Sequence, residues 1–201
     1  MSCKFISIKM DLRALVKSAL HEAVAFDFIK KVVGQSCKIK QIQHESIGTK
    51  TVDQLFDGHD CLAVLFNVIH GNTRSAIGHW CLLLKKKKGR KMQFFDSLGL
   101  GLRKIYGITH ERPLLLKALA KHDWEDSKVK LQTMGTDFRE CGSFTALRAK
   151  FHKMTNKQFV HLIKSHNFAK PDQTCVLLTL LHYLDFFHID KKKDEPSDPS
   201  E

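Results

Sequence analysis

With 201 residues and 43% hydrophobic content, the chain is long enough to bury one good core and too short for several. Its 33 basic residues against 21 acidic ones leave a net charge of +12, which favours nucleic acid, acidic partners or anionic surfaces without choosing among them. Global disorder is excluded by the supply of Leu, Ile, Val and Phe, and no apolar run approaches the roughly 20 residues needed to span a bilayer.

The chain opens on an apolar patch between Lys4 and Lys9 that is too short for a secretory segment, so an unsecreted protein is expected. Asp11, then Leu12, Leu15, Val16, Ala19, Leu20, Ala23, Val24, Phe26 and Ile29, then Gly34, predict a capped amphipathic helix. Its apolar stripe recurs every three or four residues, and Gly34 can stop it in the left-handed conformation. The stripe is broad and the polar face carries both signs, which fits a core-facing helix better than a membrane-surface one. Residues Cys37 to Gln43 alternate weakly, as an edge strand does, and Thr51 to Phe56 suit one helical turn. The run from Cys61 to Ile69 is nearly all apolar and is bounded by Asp60 and by His70-Gly71-Asn72. It is too short for a helix and predicts a strand covered on both faces.

After a polar loop from Gly71 to Gly78, the apolar runs His79 to Leu84 and Met92 to Gly99 flank the basic, Gly-containing run Lys85 to Lys91. That pattern predicts an antiparallel hairpin whose open end holds His79 and Asp96. Its tip has six basic residues in seven positions. Such a tip serves either as a solvated guard on a sheet edge or as a contact for phosphate or acidic peptide. Leu98 to Ile108, rich in glycine, is expected to cross the surface near the hairpin's open end. Pro113 opens a helix to about His122, and Lys128 to Gln132 reads as a short strand. A helix follows from Phe144 to Lys153, and Thr155 to Gln158 have capping-box spacing for another, to about His166. Pro171-Asp172 start a last helix, apolar nearly all round between Val176 and Leu184 and therefore buried. Residues 1–190 read as a single domain and 191–201 as a disordered charged tail. The element order predicts an α+β fold, a small mixed, largely antiparallel sheet between helical layers.

The stretch Gln132 to Phe144 carries the candidate chemistry. A strand-like run with Val129 and Leu131 feeds it and a helix leaves it. Cys141 would then sit in a helix's first turn, where free N–H groups and the positive dipole end favour thiolate. A cysteine nucleophile needs a base, something to orient the base, and donors for the oxyanion. His79 is the candidate base and Asp96, across the hairpin, its orienting carboxylate. Gln132 and the backbone N–H of Cys141 are the candidate oxyanion donors. The other cysteines, Cys3, Cys37, Cys61, Cys81 and Cys175, form no C-x-x-C pair, and the twelve histidines form no H-E-x-x-H and no quartet at zinc spacing. Most cysteines are therefore read as reduced core residues, and no metal is expected.

The order G-H-W, then F-F-D-S-L-G, then Q with a following C-G-x-F resembles a superfamily of cysteine peptidases, the adenovirus-type (adenain-like) and ubiquitin-like-protein-specific proteases. The resemblance runs from about Cys61 to Phe151. It implies a papain-like site with chain order His-Asp-Gln-Cys: a triad of His79, Asp96 and Cys141, Gln132 at the oxyanion hole, and Trp80 as the aromatic beside bound substrate. Eight residues stand between Gln132 and Cys141, a longer interval than in most members. Glu140 precedes the cysteine where deconjugating members often carry Asp. Small single-domain forms resemble the maturation proteases of adenoviruses, polinton-like elements and virophages. A thiol endopeptidase is then expected that cuts capsid and core precursors through a thioacyl-enzyme. No cofactor would be required, and DNA would act as an activator at the basic surface. The protein would be a monomer away from membranes, in the virion and in host cytoplasm, virus factory or nucleus. The alternatives are an isopeptidase that removes ubiquitin or SUMO, an effector acetyltransferase, and a non-enzymatic nucleic-acid-binding protein.

Overall fold

The computed structural model describes residues 22–70, 73–85, 91–132 and 140–165, and beyond them Pro171, Thr174, Cys175, Leu178, Thr179 and His182. The expected cap at Asp11, the hairpin tip at residues 86–90, most of the last helix and the charged tail lie outside the described residues.

A five-stranded mixed sheet organises the chain, with strands β1 (Ile39–Gln43), β2 (Cys61–His70), β3 (Thr73–Leu84), β4 (Met92–Phe95) and β5 (Trp124–Asp126) side by side in chain order. The pairs β2–β3 and β3–β4 are antiparallel, whereas β1 and β5 join the two edges in parallel. The near-continuous apolar run of β2 is explained by cover on both faces. Cys61, Ala63 and Leu65 share one core with Trp80, Leu82, Leu84 and Phe95. Leu62, Val64 and Phe66 share the other with Cys81, Leu83 and Phe94. Helix α1 (Glu22–Val33) covers the first face with Phe28, Ile29, Val32 and Val33. Gly34, at φ +55°, turns the chain out of it, as its position predicts.

The capping box at Thr155 acts as its spacing predicts, and the helical turn expected from Thr51 opens on a second box. Thr51 begins α2 (Val52–Phe56), its hydroxyl accepting from the Gln54 N–H while the Gln54 side chain accepts from the Thr51 N–H. Thr155 and Gln158 repeat the arrangement at the start of the later helix Asn156–Lys164. Each box satisfies two N–H groups that a helix terminus leaves open.

Three expectations need correction. The polar stretch after Gly71 is not loop throughout, because β3 already runs from Thr73; His70 pairs with Thr73 and Ile69 with Arg74, past an irregularity in β2. The glycine-rich stretch after Leu98 contains a helix, α3 (Leu102–Thr109), whose Leu102, Ile105 and Tyr106 face the second core. Glycine there serves the turn, since Gly99 and Gly101 have φ of +66° and +79°. Lys128 to Gln132 is no strand. Lys128 takes φ +49°, which breaks the extended path, and β5 forms earlier, at Trp124–Asp126, along β4. Between α3 and β5, Pro113 caps rather than enters α4 (Leu114–Leu119), and Leu115 and Leu119 complete the second core.

Helix α5 (Glu140–Lys150) and helix α6 (Asn156–Lys164) lie on the first core, which receives Phe144, Leu147, Phe159 and Ile163. Arg148 on α5 is fully buried. Its guanidinium donates to the carbonyls of Phe151 (2.9 Å) and Met154 (3.0 Å) and to the side-chain oxygens of Gln93 (3.0 Å) and Asn156 (3.2 Å). Burial pulls the guanidinium down to about 10, which leaves it charged at neutral pH.

Candidate active site

Strand β4 ends at Phe95, and the site is built where it stops pairing with β3. The last β3–β4 pair is Leu82 with Phe95, so Asp96 stands diagonally from His79 rather than opposite it. The His79 Nε2 to Asp96 Oδ1 distance is 2.7 Å, with both residues buried. The carboxylate is fixed from behind by backbone donors. Leu98 N–H gives to Oδ1 (3.0 Å) and Leu100 N–H to Oδ2 (2.7 Å), the first turns after the strand folding back on the aspartate.

Helix α5 brings Cys141 to the same place. The Trp80 N–H donates to Cys141 Sγ at 3.4 Å, and the Thr145 hydroxyl, one turn along, donates to the Trp80 carbonyl at 3.3 Å. The helix start is thus pinned to β3 next to His79. With Nε2 given to Asp96, Nδ1 is the ring nitrogen that remains for the thiol. The Cys141 and Cys81 side chains both act on the ring, yet neither closes a well-aligned hydrogen bond to Nδ1, which is buried without a partner. Such bonds are commonly long before substrate arrives.

Burial opposes charge on His79; the neighbouring Cys81 sulfur, Asp96 and Cys141 outweigh it, and the imidazolium is held well above the usual histidine range. Burial pushes the Cys81 thiol itself up to about 12, so near neutral pH it is uncharged. The counter-charge we assign to the imidazolium is therefore Asp96. Burial also disfavours the Asp96 carboxylate, but the His79 hydrogen bond and charge and the two N–H donors prevail and hold it below the ordinary aspartate range.

Gln132 enters from the segment after β5. Its N–H and that of Leu131 both donate to the Ser97 carbonyl at 2.9 Å, and the Ser97 hydroxyl donates to Gln132 Oε1 at 2.6 Å. With the amide oxygen occupied, its NH₂ is the end turned to other work. Trp80, expected beside substrate, is only 6% exposed and packs in the first core, so what it presents to Cys141 is its backbone. The loop 133–139, between Gln132 and the helix, lies outside the described residues.

No protein-family description matches the chain, and no curated protein does. Solved structures do. The fold is similar to that of "SUMO protease Ulp1 with the catalytic cysteine oxidized to a sulfenic acid" at a TM-score of 0.40 and 11% identity, over 81% of this chain and 76% of that one. It is similar to the sulfonic-acid form of the same protease at 0.39 and 12%, over 81% and 77%.

Ser97 and Cys81 were not singled out by sequence reasoning. Ser97 had a readable signal, a polar residue directly after the aspartate at a buried strand end. By holding the Gln132 amide it acts as a positioning residue. Ser97→Ala is expected to lower kcat with little change in KM, by less than the roughly 10²–10³-fold of losing an oxyanion donor outright. Ser97→Thr should restore much of the loss, and steady-state kinetics on the two variants checks this. Among the described residues two sets of donors lie close enough to share a metal ion. One is His79, Cys81 and Asp96, where an ion would consume the base and its carboxylate; the other is Cys37, Asp60 and His152.

Proposed function

We propose that the protein is a cysteine peptidase in which Cys141 is the nucleophile, His79 the base and Asp96 its orienting carboxylate. The observation that carries this reading is the His79–Asp96 pair, which occupies Nε2 and leaves Nδ1 as the acceptor beside the helix start that presents Cys141. In the reaction, Nδ1 holds the thiol proton in a thiolate–imidazolium pair and Sγ attacks the carbonyl carbon of the scissile bond. The oxyanion is met by the Gln132 NH₂ and the Cys141 N–H. The imidazolium then protonates the leaving amine, and water, deprotonated by the same nitrogen, hydrolyses the thioacyl-enzyme.

For substrate we propose capsid or core precursor proteins of a virus or virus-like element, supported by the sequence resemblance and by the net charge of +12. That charge suits a protein working on DNA, and DNA is the proposed activator.

The test combines the purified chain with a panel: a capsid precursor with small-residue and glycine-containing junctions, vinyl-sulfone derivatives of ubiquitin and SUMO, and acetyl-CoA with a lysine-bearing acceptor. Cleavage of the precursor with iodoacetamide-sensitive kinetics supports the reading. A vinyl-sulfone adduct on Cys141 without precursor cleavage replaces the substrate with a ubiquitin-like conjugate, and acetyl transfer replaces the reaction class. Added duplex should raise the peptidase rate and high salt should remove the gain, because phosphate contacts are screened. A rate indifferent to both defeats the DNA proposal.

A further inference from the structure

A buried acid–base cluster sits against the second core, on residues that the proposed reaction does not use. His44, in the turn after β1, and Glu111, in the link between α3 and α4, are only 2% and 6% exposed at their side chains. His44 Nδ1 lies 2.6 Å from Glu111 Oε2, a contact that is close without being well aligned. On the other side of the ring, Nε2 meets the Tyr106 hydroxyl at 2.8 Å, and that oxygen accepts the Leu115 N–H at 2.8 Å. The His44 ring also stacks on Phe66, with centroids 4.7 Å apart. A carboxylate and an imidazole inside an apolar core are a weak source of stability, because desolvation offsets their attraction.

What the cluster holds is the end of β2. Glu111 Oε1 accepts the Asn67 N–H at 3.1 Å. Strand β1 pairs with β2 only as far as Leu65, and the β2–β3 register shifts between Asn67 and Ile69. At the buried Asn67, then, β2 has lost its neighbour on one side and its regularity on the other, and an N–H there needs an acceptor. The carboxylate supplies it. Directly across the ladder, Phe66 pairs with His79 and Asn67 with Gly78. The two strands are tightly apposed here, since a Cβ on Gly78 would come within 2.5 Å of Leu65 Cδ1. A close-packed contact transmits a shift of β2 to His79 instead of absorbing it.

We propose that Glu111, braced by His44 and Tyr106, is a positioning residue for His79: it fixes the stretch of β2 against which the base is registered. The proposal rests on His79 being the base of a cysteine peptidase. Glu111 acts through the β2 backbone and not on the reacting atoms, so its loss misplaces the base while leaving the reactive groups themselves intact.

The test uses the full chain with three variants, each followed by steady-state kinetics, thermal melts and the ¹⁵N spectrum of the histidine rings, in which His79 is assigned by its loss in His79→Gln. Glu111→Ala removes the acceptor of the Asn67 N–H. It should lower kcat on the order of 10-fold, below the roughly 10²-fold of a 1 Å misplacement, and move the His79 ring signal and its titration midpoint. KM should stay within about twofold, because ground-state binding is untouched. Glu111→Gln, whose amide oxygen can still take that N–H, should restore most of kcat and the wild-type ring signal. Tyr106→Phe, which frees the far side of His44, should act in the same direction with a smaller effect, and it decides the matter if Glu111→Ala does not fold. A lowered Tm with unchanged kcat and an unchanged His79 signal overturns the proposal and leaves the cluster a staple of the core. So does a loss confined to KM, or one that Glu111→Gln does not repair. A wild-type chain that cleaves no peptide while its His79 signal still answers to Glu111→Ala sinks the peptidase reading alone and keeps Glu111 as the holder of His79.

Discussion

Cys141→Ala is expected to lower peptide-bond cleavage by on the order of 10⁶-fold, because removing a covalent nucleophile leaves only binding and oxyanion stabilisation. The scale follows from the roles proposed above. His79 and Asp96 have no chemistry to promote once the sulfur is gone, so their removal in the Cys141→Ala background should cost little more. Stability should hardly move. The sulfur gives up the hydrogen bond from the Trp80 N–H and its interaction with His79, while Phe144, Leu147 and Thr145 keep α5 on the sheet. Single-turnover cleavage followed by mass spectrometry, beside thermal melts of both proteins, reads the two effects separately. Cleavage persisting in a folded variant would sink the nucleophile assignment.

Asp96→Asn should follow, at on the order of 10⁴-fold in kcat, the loss expected when the carboxylate that fixes an imidazole's tautomer becomes an amide. An asparagine NH₂ can meet Nε2 only as a donor. The ring would then protonate at Nδ1, and the base would face the thiol with its proton already in place. The pH profile gives the sign. In the wild type, His79 is held above 6.5, so the alkaline limb of kcat/KM lies above that value. Removing the charge that raises it shifts the limb toward acid. Folding is linked to the same pair. The raised histidine stabilises the native state fully below 6.5, and the lowered aspartate does so above 3.8. The Tm advantage of wild type over Asp96→Asn is therefore greatest between those values. It fades as pH rises through the native His79 pKa and as pH falls through that of Asp96.

Legibility in the sequence follows the range of each interaction. The caps at Thr51 and Thr155 are written within four residues, and β2 declares itself through its apolar run, so both were readable. The pairing of His79 with Asp96 was readable because one hairpin joins them. β5 was not, since Trp124–Asp126 is three residues long and exists only by lying along β4, while Val129 and Leu131 alternate as a strand would but follow a left-handed Lys128. The Ser97–Gln132 bond crosses 35 positions and carries no local pattern. The Cys37, Asp60 and His152 cluster is assembled from three separate elements, and no spacing rule reaches that far.

Arg148 has a consequence for the distance between nucleophile and carboxylate. It belongs to the helix that carries Cys141, and through Gln93 it grips the strand that delivers Asp96. The two halves of the candidate site are thus gauged against each other by one guanidinium near the far end of the helix. Its shortening to lysine would act like a worn hinge pin, leaving every reactive group in place while letting the gap between them drift.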